Sequence, residues 1–161
     1  MILNSPVCLS GALQFLLDSK FVPGSSPDGF SSNEDLDGAK KQKVIVIDDE
    51  SLIAETVVEI LSGVGFEAVA VADGASAIEL AKSSKPDIVL SDVIMPGMNG
   101  VETGIRIREV CPECRIILFS GQAATVDLLE KARQQGHHFD ILAKPMKPEQ
   151  LISVIRGQQA N

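Results

Sequence analysis

From residue 43 onward, short aliphatic runs separate stretches with apolar residues at helical spacing. The runs at 44–47, 87–91, 115–119 and 141–143 are bounded by polar or turn residues, and Glu67–Val71 forms another. Runs this short and this continuously apolar predict strands buried on both faces, as in a parallel sheet. Between them, Ser51 is the expected N-cap of a helix whose Ile53, Val57, Ile60, Leu61 and Val64 share one face, stopped by Gly63 and Gly65. Asp73 suits the cap of a second helix carrying Ala77, Ile78, Leu80 and Ala81. Further helices are expected at 101–110 and 124–135. Pro148 fits the first turn of a last one, with Leu151, Ile152 and Ile155 toward the core. Five β-α units in alternation predict an α/β fold: a doubly wound parallel sheet with helices on both faces.

Four of these runs end on residues suited to a phosphoryl group or a divalent metal. The first leads into Asp48 and Asp49, the next through Ser91 into Asp92, another into Ser120, and the last into Lys144. Side chains just past the carboxyl ends of parallel strands converge on one crevice, where open α/β sheets place ligands. Acidic residues in loops are commonly just solvated, and the Asp48-Asp49 pair alone carries little. Asp92 changes the picture because it sits at the end of a separate strand. Crowded carboxylates raise one another's pKa, and a hard, oxygen-seeking cation such as Mg²⁺ resolves the conflict.

With Val-Ile-Asp-Asp-Glu (46–50), Ser-Asp-Val-Ile-Met-Pro-Gly-Met-Asn-Gly (91–100), Phe-Ser-Gly (119–121) and Ala-Lys-Pro (143–145), the chain resembles the CheY-like receiver domain of two-component response regulators. The four motifs stand in order at strand ends, and the resemblance covers residues 43–157. It implies a flavodoxin-like five-stranded sheet in the order 2-1-3-4-5. It implies Asp92 as phosphoacceptor, taking phosphoryl from a histidine kinase or histidine phosphotransfer protein, with slow self-dephosphorylation. Asp48, Asp49, Asp92 and the backbone carbonyl of Ile94 would bind Mg²⁺. Lys144 would hold a phosphoryl oxygen, Ser120 would move to donate a hydrogen bond to it, and Pro145 would follow a cis bond. Ile94 and Gln122 would flank the path of the hydrolytic water. A downstream effector protein, or a second copy in a homodimer, would meet the face made by the fourth helix, fifth strand and fifth helix. Ala123, Ala124, Val126, Lys131, Lys147 and Glu149 are candidates there, against the plain reading of ordinary helix surface.

One departure stands out. Family members usually carry Tyr or Phe three residues before the lysine, coupled to the hydroxyl switch; here that residue is Ile141, and Phe139 lies two residues earlier. Either Phe139 substitutes through a shifted loop or the switch works without an aromatic. A phosphorylation-independent docking module with the same fold therefore stays open. A Mg²⁺-dependent phosphohydrolase using Asp92 is a third reading, weakened because Ile94 occupies the place where such enzymes carry a second acid.

Composition bounds these readings. The 161 residues suit one domain with a tail; with no Trp or Tyr the core must be aliphatic, and a net charge of −8 argues against direct DNA binding. Residues 1–42 lack periodicity and are rich in Gly, Ser and Pro over 22–41, so a flexible N-terminal tail is expected, with a short C-terminal tail at 158–161. No run is long enough to span a membrane. The apolar stretch at 7–17 lacks the basic flank of a secretory signal, and no effector domain is expected after Gly157. Three cysteines without a paired framework favour a reducing, cytoplasmic setting, with Cys8 a free thiol. Cys111-Pro-Glu-Cys114 and His137-His138 fall in loops expected to be neighbours, which would permit a Zn²⁺ site; the plainer and preferred reading is that Pro112 breaks a helix.

Overall fold

The computed structural model of the chain describes residues 40–121 and 125–157. The expectations for the two tails, for Cys8 and for Gln122, Ala123 and Ala124 lie outside the described residues, apart from the stretch from Lys40 to Gln42.

Five strands alternate with five helices. They are β1 (Lys43–Ile47), α1 (Ser51–Gly63), β2 (Glu67–Val71), α2 (Gly74–Ser84), β3 (Ile88–Asp92), α3 (Gly100–Val110), β4 (Arg115–Ser120), α4 (Thr125–Gln134), β5 (Asp140–Ala143) and α5 (Pro148–Ile155). All pairings are parallel and the order is β2-β1-β3-β4-β5. Strand alternation splits the core in two. Val44, Val46, Leu90, Ile117 and Leu142 pack against α1 and α5. Ile45, Ile47, Val89, Ile116 and Leu118 face the other way, onto α2, α3 and α4. The chain winds from β1 outward to β2, then crosses back to β3, so the topological switch point lies between β1 and β3.

Helix ends follow local chemistry. Asp73 caps α2, its carboxylate accepting from the Ser76 amide at 2.8 Å, and Asn99 caps α3 through the Glu102 amide at 2.9 Å. The Ser51 expectation is corrected: Glu50 is the N-cap, because its carbonyl accepts the first helical bond, from Ala54 at 3.2 Å, and Ser51 is already helical. α1 ends in a Schellman turn in which Phe66 N–H reaches Leu61 O and Gly65 N–H reaches Ser62 O. Gly65, at φ +98°, is the residue the turn requires, whereas Gly63 is an ordinary last helical position. Pro148 stands at the start of α5 as expected.

α3 ends at Val110, Pro112 follows, and the Cys114 amide closes a turn onto the Cys111 carbonyl at 3.1 Å. Both thiols are buried and free. Arg108, in the last turn of α3, donates to the His138 carbonyl and ties that helix to the loop before β5. The cysteines and histidines nevertheless do not gather into a metal-binding group among the described residues. No helix among the described residues is long and apolar enough to cross a membrane.

Candidate functional site

The switch point brings together the carboxyl ends of β1 and β3. Asp48 and Asp49 follow Ile47, and Asp92 closes β3; carboxylate oxygens of the three lie within 4.8 Å of one another. Asp48 is buried, Asp49 exposed and Asp92 half-buried, so the cluster opens to solvent on one side. Lys144, just past β5, reaches in with its Nζ 3.3 Å from Asp92 Oδ2 and 3.7 Å from Asp48 Oδ2. Asp48 Oδ1 accepts from the Glu50 amide at 2.9 Å, and Asp92 Oδ1 accepts from the Ile94 amide at 3.3 Å. The Lys144–Pro145 peptide is cis.

Burial pushes the Asp48 carboxyl up to about 6; the Glu50 amide and Lys144 pull it down, and Asp92 and Asp49 push it further up. One ammonium thus compensates three crowded carboxylates incompletely. A set of hard oxygen donors with excess negative charge and an open side fits a hard divalent cation such as Mg²⁺. Asp48, Asp49 and Asp92 are the residues that would hold it.

Two glycines in the motifs stand where space is short, and at Gly100 it is a packing requirement. A Cβ on Gly100 would stand 2.0 Å from the Asp92 carbonyl oxygen, so the α3 N-terminus approaches the end of β3 more closely than any side chain allows. A Cβ on Gly121 would press against Lys144 Cβ at 3.3 Å. The motif match marks both positions, but only the packing explains Gly100.

Ser120 closes β4, and its hydroxyl is hydrogen-bonded to the hydroxyl of Thr125, the first residue of α4. Sequence reasoning missed Thr125; the one available signal was a β-branched hydroxyl residue near an expected helix start. Phe139 does not stand in for the missing aromatic. It packs over Gly104 and Ile116, beneath the Arg108 guanidinium at 4.6 Å from the ring centre, near the amino end of β5. Ile141 is half exposed on the edge strand, and Val126 on α4 is more exposed still. Lys131, Lys147 and Glu149 are exposed as well.

The sequence profile of the response regulator receiver domain matches residues 44–156. The chain is 30% identical over 118 residues to the DNA-binding response regulator MtrA of Mycobacterium tuberculosis, covering 73% of this chain and 50% of that protein. It is 36% identical over 124 residues to the transcriptional regulatory protein PdtaR of the same species, covering 75% of this chain and 58% of that one. The chain therefore spans about half the length of the curated relatives it matches. Among solved structures, the chemotaxis protein CheY4 of Vibrio cholerae superposes with a TM-score of 0.66 at 26% identity, covering 74% of this chain and all of that one. A CheY-like receiver domain protein from Methanospirillum hungatei shares the fold, with a TM-score of 0.67 at 20% identity over 73% of this chain and 93% of that one. With its strand order, its acidic cluster at the switch point and these matches, the chain belongs to the receiver-domain family of two-component response regulators.

Proposed function

We propose that the chain accepts a phosphoryl group on Asp92 from a histidine kinase or histidine phosphotransfer protein, with Mg²⁺, and thereby switches its binding to a separate protein. The observation that carries this reading is the Asp92 carboxylate at the open end of β3, with Lys144 Nζ at 3.3 Å and Asp48 and Asp49 beside it. An Asp92 oxygen attacks the phosphorus, the P–N bond to the donor histidine breaks, and the imidazole nitrogen leaves with the electron pair. Lys144 neutralises charge on the oxygens of the transferring group and Ser120 donates a hydrogen bond to it. Mg²⁺, held by Asp48, Asp49, Asp92 and the Ile94 carbonyl, would supply further charge neutralisation. Water attack on the same acyl phosphate returns the free aspartate, so the chain turns over its own phosphate slowly and is otherwise not an enzyme.

The effector is a protein rather than DNA, a reading supported by the net charge of −8, since phosphate contacts draw on Lys and Arg. Its docking face is α4, β5 and α5, where Val126 and Ile141 offer exposed apolar surface, and a second copy of the chain could use the same face. A cytoplasmic location fits this chemistry. A second reading, constitutive docking through that face without phosphorylation, is favoured by the exposed Ile141 in place of an aromatic. The phosphohydrolase reading has only Ile94, with no carboxylate, two residues after Asp92.

Intact mass after treatment with acetyl phosphate decides between them. One phosphate adduct is expected, dependent on Mg²⁺ and lost in Asp92→Ala. Failure to form it, with Mg²⁺ binding demonstrated, would transfer support to the constitutive module.

A further inference from the structure

A hydroxyl carries one proton and can donate it to one acceptor at a time. The Ser120 hydroxyl shares a hydrogen bond with the Thr125 hydroxyl, in which either oxygen can be the donor. Thr125 is 1% exposed, opens α4, and as a β-branched residue is stiff about χ1. The position three residues before Lys144 holds Ile141, which has no polar atom and stands half exposed at the sheet edge. Phe139 is held between Gly104, Ile116 and Arg108, away from the Ser120 hydroxyl. The Ser120 hydroxyl thus meets a buried hydroxyl on the first turn of α4.

We propose that Thr125 is a positioning residue that restrains the Ser120 hydroxyl in the unphosphorylated chain, so that phosphorylation is read out by the breaking of this hydroxyl pair. The inference rests on Ser120 being the hydroxyl that meets the phosphoryl group. Ser120 reaches that group by leaving Thr125, which requires a change of side-chain rotamer between staggered wells. The first turn of α4 loses one tether when this happens. An aromatic on β5 is then unnecessary, and Ile141 is free to serve as docking surface. The pair biases the resting state toward the unswitched form.

The test uses the full chain, with beryllofluoride and Mg²⁺ as phosphoryl mimic, calorimetry for affinity and backbone amide shifts for α4. Thr125→Val keeps the shape and removes the hydroxyl. It is expected to bind the mimic about fivefold more tightly, the worth of one neutral hydrogen bond no longer broken on binding. Its α4 amides, without any ligand, should already lie toward the bound positions. Thr125→Ser, which keeps the hydroxyl, should return both readouts to native. A merely structural role would lower thermal stability without raising affinity, and native or weaker affinity in Thr125→Val overturns the inference. If that variant fails to fold, Ser120→Ala breaks the pair from the other side: α4 amides shifted toward the bound positions without ligand support the inference, and unshifted amides overturn it. Absence of binding by the native chain would sink the phosphoacceptor reading and this inference together, whereas native binding with unaltered variants removes this inference alone.

Discussion

Burial of Asp48 works against its own ionisation, and neighbouring Asp92 and Asp49 add to the effect, leaving a carboxyl that titrates at about 6. In the unfolded chain such a group titrates near 4. Between those values the folded chain holds a proton that the unfolded chain has released. The contribution of Asp48 to stability therefore falls as pH rises from about 4 to about 6 and stays at its lower level above that, with a ceiling of about 3 kcal/mol. Asp48→Asn keeps an oxygen for the Glu50 amide and cannot ionise. Urea unfolding of the metal-free protein should show the variant gaining on the native chain through that window; parallel curves would contradict the buried-charge account. The buried cysteines make a different point. Desolvation, with Cys111 alongside, pushes the Cys114 thiol up to about 12, so at neutral pH it is protonated. Iodoacetamide at pH 7.5 should leave Cys111 and Cys114 unmodified in the native chain and alkylate them after denaturation, as peptide mass mapping would read. The C-x-x-C spacing was visible in the sequence; that it marks a turn in the core rather than a metal site depended on what packs around it.

Helix boundaries were legible wherever one residue type carries the signal. Asp73, Gly65 and Pro148 do what their chemistry predicts. Ser51 misled because Asp48 and Glu50 already occupy the turn before α1 and fix where the ladder begins. α2 shows the opposite case, a boundary with a mismatched residue. Lys85 at its C-terminus adopts the left-handed conformation, φ 47°, with its amide on the Ala81 carbonyl at 3.1 Å. A side chain there costs energy that glycine avoids. Lys85→Gly should raise stability by about 0.5–1 kcal/mol, measured by chemical denaturation, with no change in phosphorylation. Lys85 is exposed and precedes the short turn through Pro86 into β3, so the change leaves the core untouched.

At the scale of the whole molecule, three acidic groups from two strands share one crevice because β1 and β3 are neighbours on either side of the switch point. A cation bound there stabilises only the folded chain. Mg²⁺ at ten times its dissociation constant should add about 1.4 kcal/mol, raising the melting temperature by several degrees, and Asp49→Ala should abolish most of that rise. A melting temperature independent of Mg²⁺ would count against the site. The amino-acid sequence by itself determined the strand and helix order, because buried parallel strands and amphipathic helices have unlike periods. It also placed Asp48, Asp49, Asp92, Ser120 and Lys144 at strand ends, since each follows an apolar run directly or with one residue between. Tertiary structure alone decided the contacts that span elements: Gly100 against the Asp92 carbonyl, Phe139 beneath Arg108, and the Ser120 hydroxyl on Thr125. Periodicity reports which face of an element is buried. It carries no information about which atom of another element lies opposite, and the reading of Ser120 turns on that.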